Sequence, residues 1–195
     1  DIDLYPEYTG TGLISVLQMP PETDSQQVYD TVKKEYEEQF DLVWLEQSEA
    51  ADGQGLVIRT QAAEQYGIKT RSDGLPALEA TYGPFDWAEH EVYDEGLKYE
   101  VLRNDQADVT PAYTTEAQLT DTEAFTLLED DKGVWPPYNV APVVRGDVLR
   151  ELPDIETALN RVSEALTTEK LTELNARVDI DQEEYEDVAR DFFEG

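Results

Sequence analysis

The 195-residue sequence contains no cysteine, one histidine, and only 14 lysines and arginines against 45 aspartates and glutamates. Without cysteine there can be no disulfide, no thiolate metal site and no cysteine nucleophile. The single histidine, His90 in the polar run AEHEVY, cannot supply a two-histidine zinc site and reads as a surface residue. The shortage of bases leaves a formal net charge of −31, which repels polyanions and excludes nucleic acid and anionic membrane surfaces as partners. No apolar run approaches the roughly 18 residues of a membrane span, and no signal peptide is recognisable. Asp1 in place of an initiator methionine reads as a start inside a longer chain. Also missing are a P-loop, a dinucleotide fingerprint, a nucleophile elbow and a DxDxDG-x5-E calcium loop. The acidic runs Glu129-Asp130-Asp131 and Asp179-Ile180-Asp181 are too short for an oxygen cage.

What is present argues for a folded chain. Three Trp, eleven Tyr and five Phe, with aliphatic runs such as LVWL (42–45) and GLVI (55–58), are not a disordered composition. The length suits one compact domain or two small lobes. Acidic residues are spread along the whole chain rather than gathered in a tail, so most of the charge reads as a solvated shell that high ionic strength would screen.

Short apolar runs alternate with helical patterns. Residues 1–4 read as the end of a strand, and Leu13, Ile14, Val16 and Leu17 form a helical stripe that stops before Pro20-Pro21. Between Asp24 and Phe40, Val28, Val32 and Tyr36 fall on one helical face. Strands are predicted at 41–46, 55–60, 107–115, 125–130 and 139–145. Helices are predicted at 62–67, at 75–83 with a glycine stop, at 96–105, and through most of 147–195. This alternation predicts an α/β protein with largely parallel sheets.

One internal correspondence involves chemistry. Asp3-Leu4-Tyr5-Pro6-Glu7-Tyr8-Thr9 and Asp108-Val109-Thr110-Pro111-Ala112-Tyr113-Thr114 share a D-(aliphatic)-x-P-x-Y-T pattern at a separation of 105 residues. Each sits where a strand gives way to a helix start, the usual ligand edge of an α/β sheet. Two facing lobes would bring both tyrosines to a shared cleft. Trp135-Pro136-Pro137-Tyr138-Asn139 is a third candidate, its prolines holding the aromatics at low conformational cost. Taken alone it reads equally as a proline-rich hinge with Tyr138 packed for structure.

DIDLYPEYTGTGL, ADVTPAYTTEAQL, LLEDDKGVWPPYNVAPVVR and the closing LTTEKLTELNARVDIDQEEYEDVARDFF together resemble the glycine betaine, choline and proline-betaine substrate-binding proteins of osmoprotectant ABC transporters. The resemblance implies a two-lobed, type II periplasmic-binding-protein-like α/β fold with a hinge of two crossing segments. The first lobe is expected at 1–48 and 131–195, and the second at 49–130. A quaternary ammonium has no N–H to donate, so a site holds it by ring faces and charge, worth about 2 kcal/mol per desolvated ring. Carried over by motif, Tyr8 and Tyr138 from the first lobe and Tyr113 from the second would form an inter-lobe tyrosine box. Thr11 and Arg71 match positions that bind a ligand carboxylate, for which a guanidinium fork is well suited. Asp52 matches a polar or acidic position close to the cation. The same resemblance implies no catalysis, no cofactor and no metal. It implies a monomer that serves an ABC permease at the extracellular or periplasmic face of the membrane, lipid-anchored at full length. With the acidic shell it implies a halophilic protein.

The sequence also departs from the family. Gln54 stands where relatives frequently carry an aromatic, leaving the box one ring short unless Trp135 or Tyr5 fills it. An opening βαβ unit, about 30 residues or more, and a strand and loop before Arg71 are absent relative to the family, so the sequence reads as truncated. These departures motivate an alternative, the same fold serving as a ligand sensor or scaffold with altered or lost betaine binding. A further alternative is an acidic hydrolase using Glu7 with Asp52, or Glu129-Asp130, as a carboxylate pair.

Overall fold

The computed structural model describes residues 2–61, 80–83 and 94–194. In chain order the elements are β1 (Leu4–Tyr8), α1 (Thr9–Thr11) running into a π-helical turn (Gly12–Val16), α2 (Ser25–Phe40), β2 (Leu42–Trp44) and β3 (Gln54–Arg59). After a 3-10 turn come α3 (Lys98–Arg103), β4 (Val109–Tyr113), β5 (Phe125–Leu127) and β6 (Val140–Arg145). Four helices close the chain: α4 (Gly146–Glu151), α5 (Asp154–Ala165), α6 (Thr168–Asp179) and α7 (Tyr185–Glu194). The expected helix at 62–67 and most of that at 75–83 lie outside the described residues. Ala80–Tyr82 is helical, and Gly83 ends it at a φ of 104°, which glycine adopts without strain.

The chain divides into two units, residues 1–53 with 136–171 and residues 54–135 with 172–195. Connectivity crosses between them three times, after Gly53, Trp135 and Leu171, rather than through two segments. The sequence reading assigned all of 131–195 to the first lobe. Residues 172–195 instead group with the second unit, where the Thr172 hydroxyl and the Asn175 amide donate to the carbonyls of Thr114 and Thr115 at 3.5 and 2.8 Å.

In the first unit α2 forms as its sequence dictates. The Asp24 side chain caps it by accepting from the Gln27 N–H at 2.9 Å, and Asp41 ends it in the left-handed region. Its Val28, Val32 and Tyr36 are buried against a three-stranded sheet ordered β1-β6-β2. Tyr5, Val143 and Trp44 share one row of that sheet, and Tyr36 meets Trp44 edge-on with ring centroids 5.3 Å apart. In β6, Val143 and Val144 point to opposite faces and both are fully buried, so this strand is the centre of the unit.

The second unit holds a sheet ordered β4-β3-β5 over a core of Val57, Tyr99, Leu102, Ala112 and Phe125. Arg59 at the end of β3 donates to the carbonyls of Leu102 and Ala107 at 3.0 and 2.8 Å, joining the sheet to the last turn of α3 and the segment after it. Every described strand pair in both units is antiparallel. This corrects the expectation of largely parallel sheets. β1 and β2 do run parallel to each other, but β6 returns from the second unit in the opposite sense and lies between them; β3 separates β4 from β5 in the same way. Among the described residues no helix is long and apolar enough to cross a membrane.

Candidate functional site

β1 ends where α1 begins, at Tyr8-Thr9-Gly10, and Pro137-Tyr138-Asn139 closes over this junction. The Thr9 N–H donates to the Asn139 carbonyl at 2.9 Å, the Asn139 N–H donates to Thr9 Oγ1 at 3.1 Å, and the Thr9 hydroxyl donates to the Pro137 carbonyl at 3.2 Å. Thr9 is fully buried in this clasp. On the other side, the Asp52 N–H donates to the Tyr138 carbonyl at 3.1 Å, and Ala51 bridges Asn139. Three segments distant in sequence are thereby joined through backbone hydrogen bonds.

The glycines of YTGTG make this junction possible. A Cβ on Gly10 would stand 2.8 Å from the Pro137 carbonyl and from two atoms of the Tyr138 ring. Only a residue without a side chain lets that ring lie against the turn. Gly12 does the same inward, where a Cβ would be 2.9 Å from Trp44.

Tyr8, Asp52 and Tyr138 are therefore gathered within the first unit, all half-buried. Burial, then the carboxylates of Asp52 and Glu7, push the Tyr8 phenol above its ordinary pKa of 10.0. The ring stays neutral at physiological pH in a field that favours a cation. Thr11 sits one turn further along, also half-buried. Tyr5 is not part of this group: strand alternation turns it to the α2 side, where it packs with the core. There burial, followed by the Glu7 charge, raises its pKa.

In the second unit Tyr113 is 42% exposed at the end of β4, and its cross-strand partner is Gln54, the first residue of β3. Directly opposed residues of an antiparallel pair project from the same face, so Gln54 is the immediate neighbour of the Tyr113 ring. The Tyr113 N–H donates to Glu116 at 2.8 Å, and Glu116 also pairs with Lys98 at 2.5 Å. Trp135 is buried, and its indole N–H has no hydrogen-bond partner among the described residues. Arg71 and His90 lie outside the described residues.

Two of the carboxylates proposed for acid/base chemistry, Asp130 and Glu7, accept hydrogen bonds within the fold. Asp130 accepts from the Tyr82 hydroxyl at 2.7 Å through one oxygen and from the Trp135 backbone N–H at 3.0 Å through the other. Glu7 accepts from the Tyr8 N–H at 2.8 Å. Among the described residues no group of acidic or histidine side chains could hold a metal ion. Sequence reasoning missed Thr9 and Asn139, although both stand inside the quoted motifs; a threonine and an asparagine beside the tyrosines were the available signal.

The chain matches the family described as the substrate-binding domain of the ABC-type glycine betaine transport system over residues 1–74 and 70–195. It belongs to that family. Members are substrate-binding proteins of transporters rather than enzymes, in keeping with the structural engagement of Asp130. Among relatives, the glycine-betaine-binding protein of Pseudomonas aeruginosa is 32% identical, with 98% of this chain and 71% of that protein covered. The ergothioneine transport permease/ergothioneine binding protein EgtU of Helicobacter pylori is 29% identical over the whole chain, which spans only 38% of that longer protein. A solved structure described as a glycine betaine/carnitine/choline ABC transporter superposes with a TM-score of 0.90 at 23% identity, covering 100% of this chain and 79% of that one. The likeness establishes the two-lobed periplasmic-binding-protein fold.

Proposed function

We propose that this substrate-binding protein captures a quaternary ammonium compatible solute, glycine betaine, choline or a close relative, and delivers it to an ABC permease for osmoprotection. The gathering of Tyr8, Asp52 and Tyr138, with the Tyr138 ring against Gly10, carries this reading. Neutral ring faces beside carboxylates suit a cation that cannot donate a hydrogen bond, and cation–π attraction grows as the cation is desolvated. Tyr113 supplies a further ring and Thr11 a hydroxyl. Arg71 provides a guanidinium for a ligand carboxylate, and Trp135 an indole N–H that has no partner among the described residues. Gln54 joins the site in place of an aromatic. The protein works as a monomer on the extracytoplasmic side of the membrane, lipid-anchored at full length.

Isothermal titration calorimetry in molar salt with glycine betaine, choline, carnitine, proline betaine and ergothioneine tests the reading. Micromolar binding of at least one of these is expected, lost in Tyr8→Ala and Tyr138→Ala. Absence of heat with the whole panel, from a protein shown to be folded, rejects it.

A further inference from the structure

Asn139 bonds to several segments of the first unit that are distant in sequence. Its side-chain carbonyl accepts from the Ser25 hydroxyl at 2.8 Å, at the start of α2. Its side-chain amide donates to the Ser48 carbonyl at 3.1 Å. Its backbone N–H and carbonyl are both bonded to Thr9, at 3.1 and 2.9 Å, and its neighbour Tyr138 accepts from the Asp52 N–H. One residue thus ties together the segment after Tyr8, the segment before Asp52, the start of α2 and its own Tyr138. The amide suits this place because it presents an acceptor and donors on one short planar group. A carboxylate could accept from Ser25 but has no hydrogen to donate to the Ser48 carbonyl.

We infer that Asn139 is a positioning residue, which holds Tyr8, Asp52 and Tyr138 in their binding arrangement before any ligand arrives. This rests on the function proposed above for those three residues. The physical case is that of preorganisation: rings held in place by a bonded scaffold need not be ordered when the ligand binds, so binding retains more of its gross energy. Thr9 is the other half of the device, since its hydroxyl accepts from Asn139 and donates to Pro137.

The test uses the 195-residue chain, with Asn139→Leu, Thr9→Val and Thr9→Ser variants and two readouts. The first needs no ligand. Gly10 lies against the Tyr138 ring, so ring current should displace a Gly10 α-proton resonance, and Tyr138→Leu gives the shift without the ring. In Asn139→Leu and Thr9→Val the resonance is expected to move towards the ring-free position, and in Thr9→Ser to stay near wild type. The second readout is the calorimetric Kd for glycine betaine, expected to weaken about tenfold or more in the first two variants and to recover in Thr9→Ser. A Gly10 resonance unmoved in folded Asn139→Leu, or in the milder Thr9→Val, overturns the inference. Wild-type protein that binds no quaternary amine, yet whose Gly10 resonance depends on Asn139, refutes the proposed ligand and leaves the positioning role standing.

Discussion

Gln54 lies directly across the antiparallel sheet from Tyr113, at the end where β3 begins and β4 finishes. An aromatic here would add a second ring beside Tyr113, and Gln54 offers an amide instead. Gln54→Tyr should therefore tighten binding of glycine betaine by about 0.5–2 kcal/mol, the range for a cation–π contact from exposed to desolvated. Calorimetry on the two proteins under one salt condition checks it. Equal affinities would show that this position does not face the cation.

Replacing Gly10 by alanine tests the packing of the binding turn. In helical backbone alanine is ordinarily better than glycine by about 1 kcal/mol. Here the new methyl would meet the Pro137 carbonyl and the Tyr138 ring at 2.8 Å. Overpacking of this kind costs about 1–3 kcal/mol, so the clash should outweigh the propensity. Urea denaturation is expected to show net destabilisation of Gly10→Ala, and of Gly12→Ala, whose methyl would meet Trp44 at 2.9 Å. Stabilisation of either variant would mean that the turn yields easily.

How much of this was visible beforehand depended on the range of the interaction involved. α2 was legible because Val28, Val32 and Tyr36 repeat at helical spacing and Asp24 caps locally. β6 was legible because a central strand covered on both faces carries an apolar run, here VAPVV. The antiparallel pairing was not, since the direction of a neighbouring strand is fixed by where the chain returns from. Nor was the division of α6 between two units: helical periodicity runs straight through Leu171-Thr172, and the grouping depends on contacts with segments distant in sequence, such as those of Thr172 and Asn175. Tyr8, Asp52 and Tyr138 could be suspected from their motifs. The Thr9–Asn139 clasp that joins their segments spans 130 residues and has no local signature.

Alkaline pH should unfold the protein through its buried phenols. Burial, followed by the Glu116 carboxylate, raises the Tyr99 pKa well above 10.0; burial also raises Tyr36 strongly. A phenol with a raised folded pKa keeps its proton while the unfolded chain loses it. Stability from this source is intact below about pH 10 and declines as pH rises beyond it. Tm measured from pH 8 to 11 should fall over the upper part of that range, and Tyr99→Phe should flatten the decline. An unchanged slope in Tyr99→Phe would assign the alkaline transition to other groups.

Salt sets two electrostatic effects against each other. Raising it weakens pairs such as Arg177 with Glu183 and Asp191, bonded at 2.5 and 2.6 Å, but solvent-accessible pairs of this kind add little to stability. It also screens repulsion among the carboxylates, and with 14 bases against 45 acids the net charge is −31. Even if every base were paired, 31 acids would remain uncompensated. At 0.1 M salt their fields reach about 10 Å and at 1 M only about 3 Å. Screening of repulsion should win. Tm is expected to rise steadily from 0.1 to 2 M potassium chloride, a salt chosen over sulfate so that surface exclusion contributes little. A Tm that stays level or falls over that range would show that the acidic surface is not an adaptation to brine.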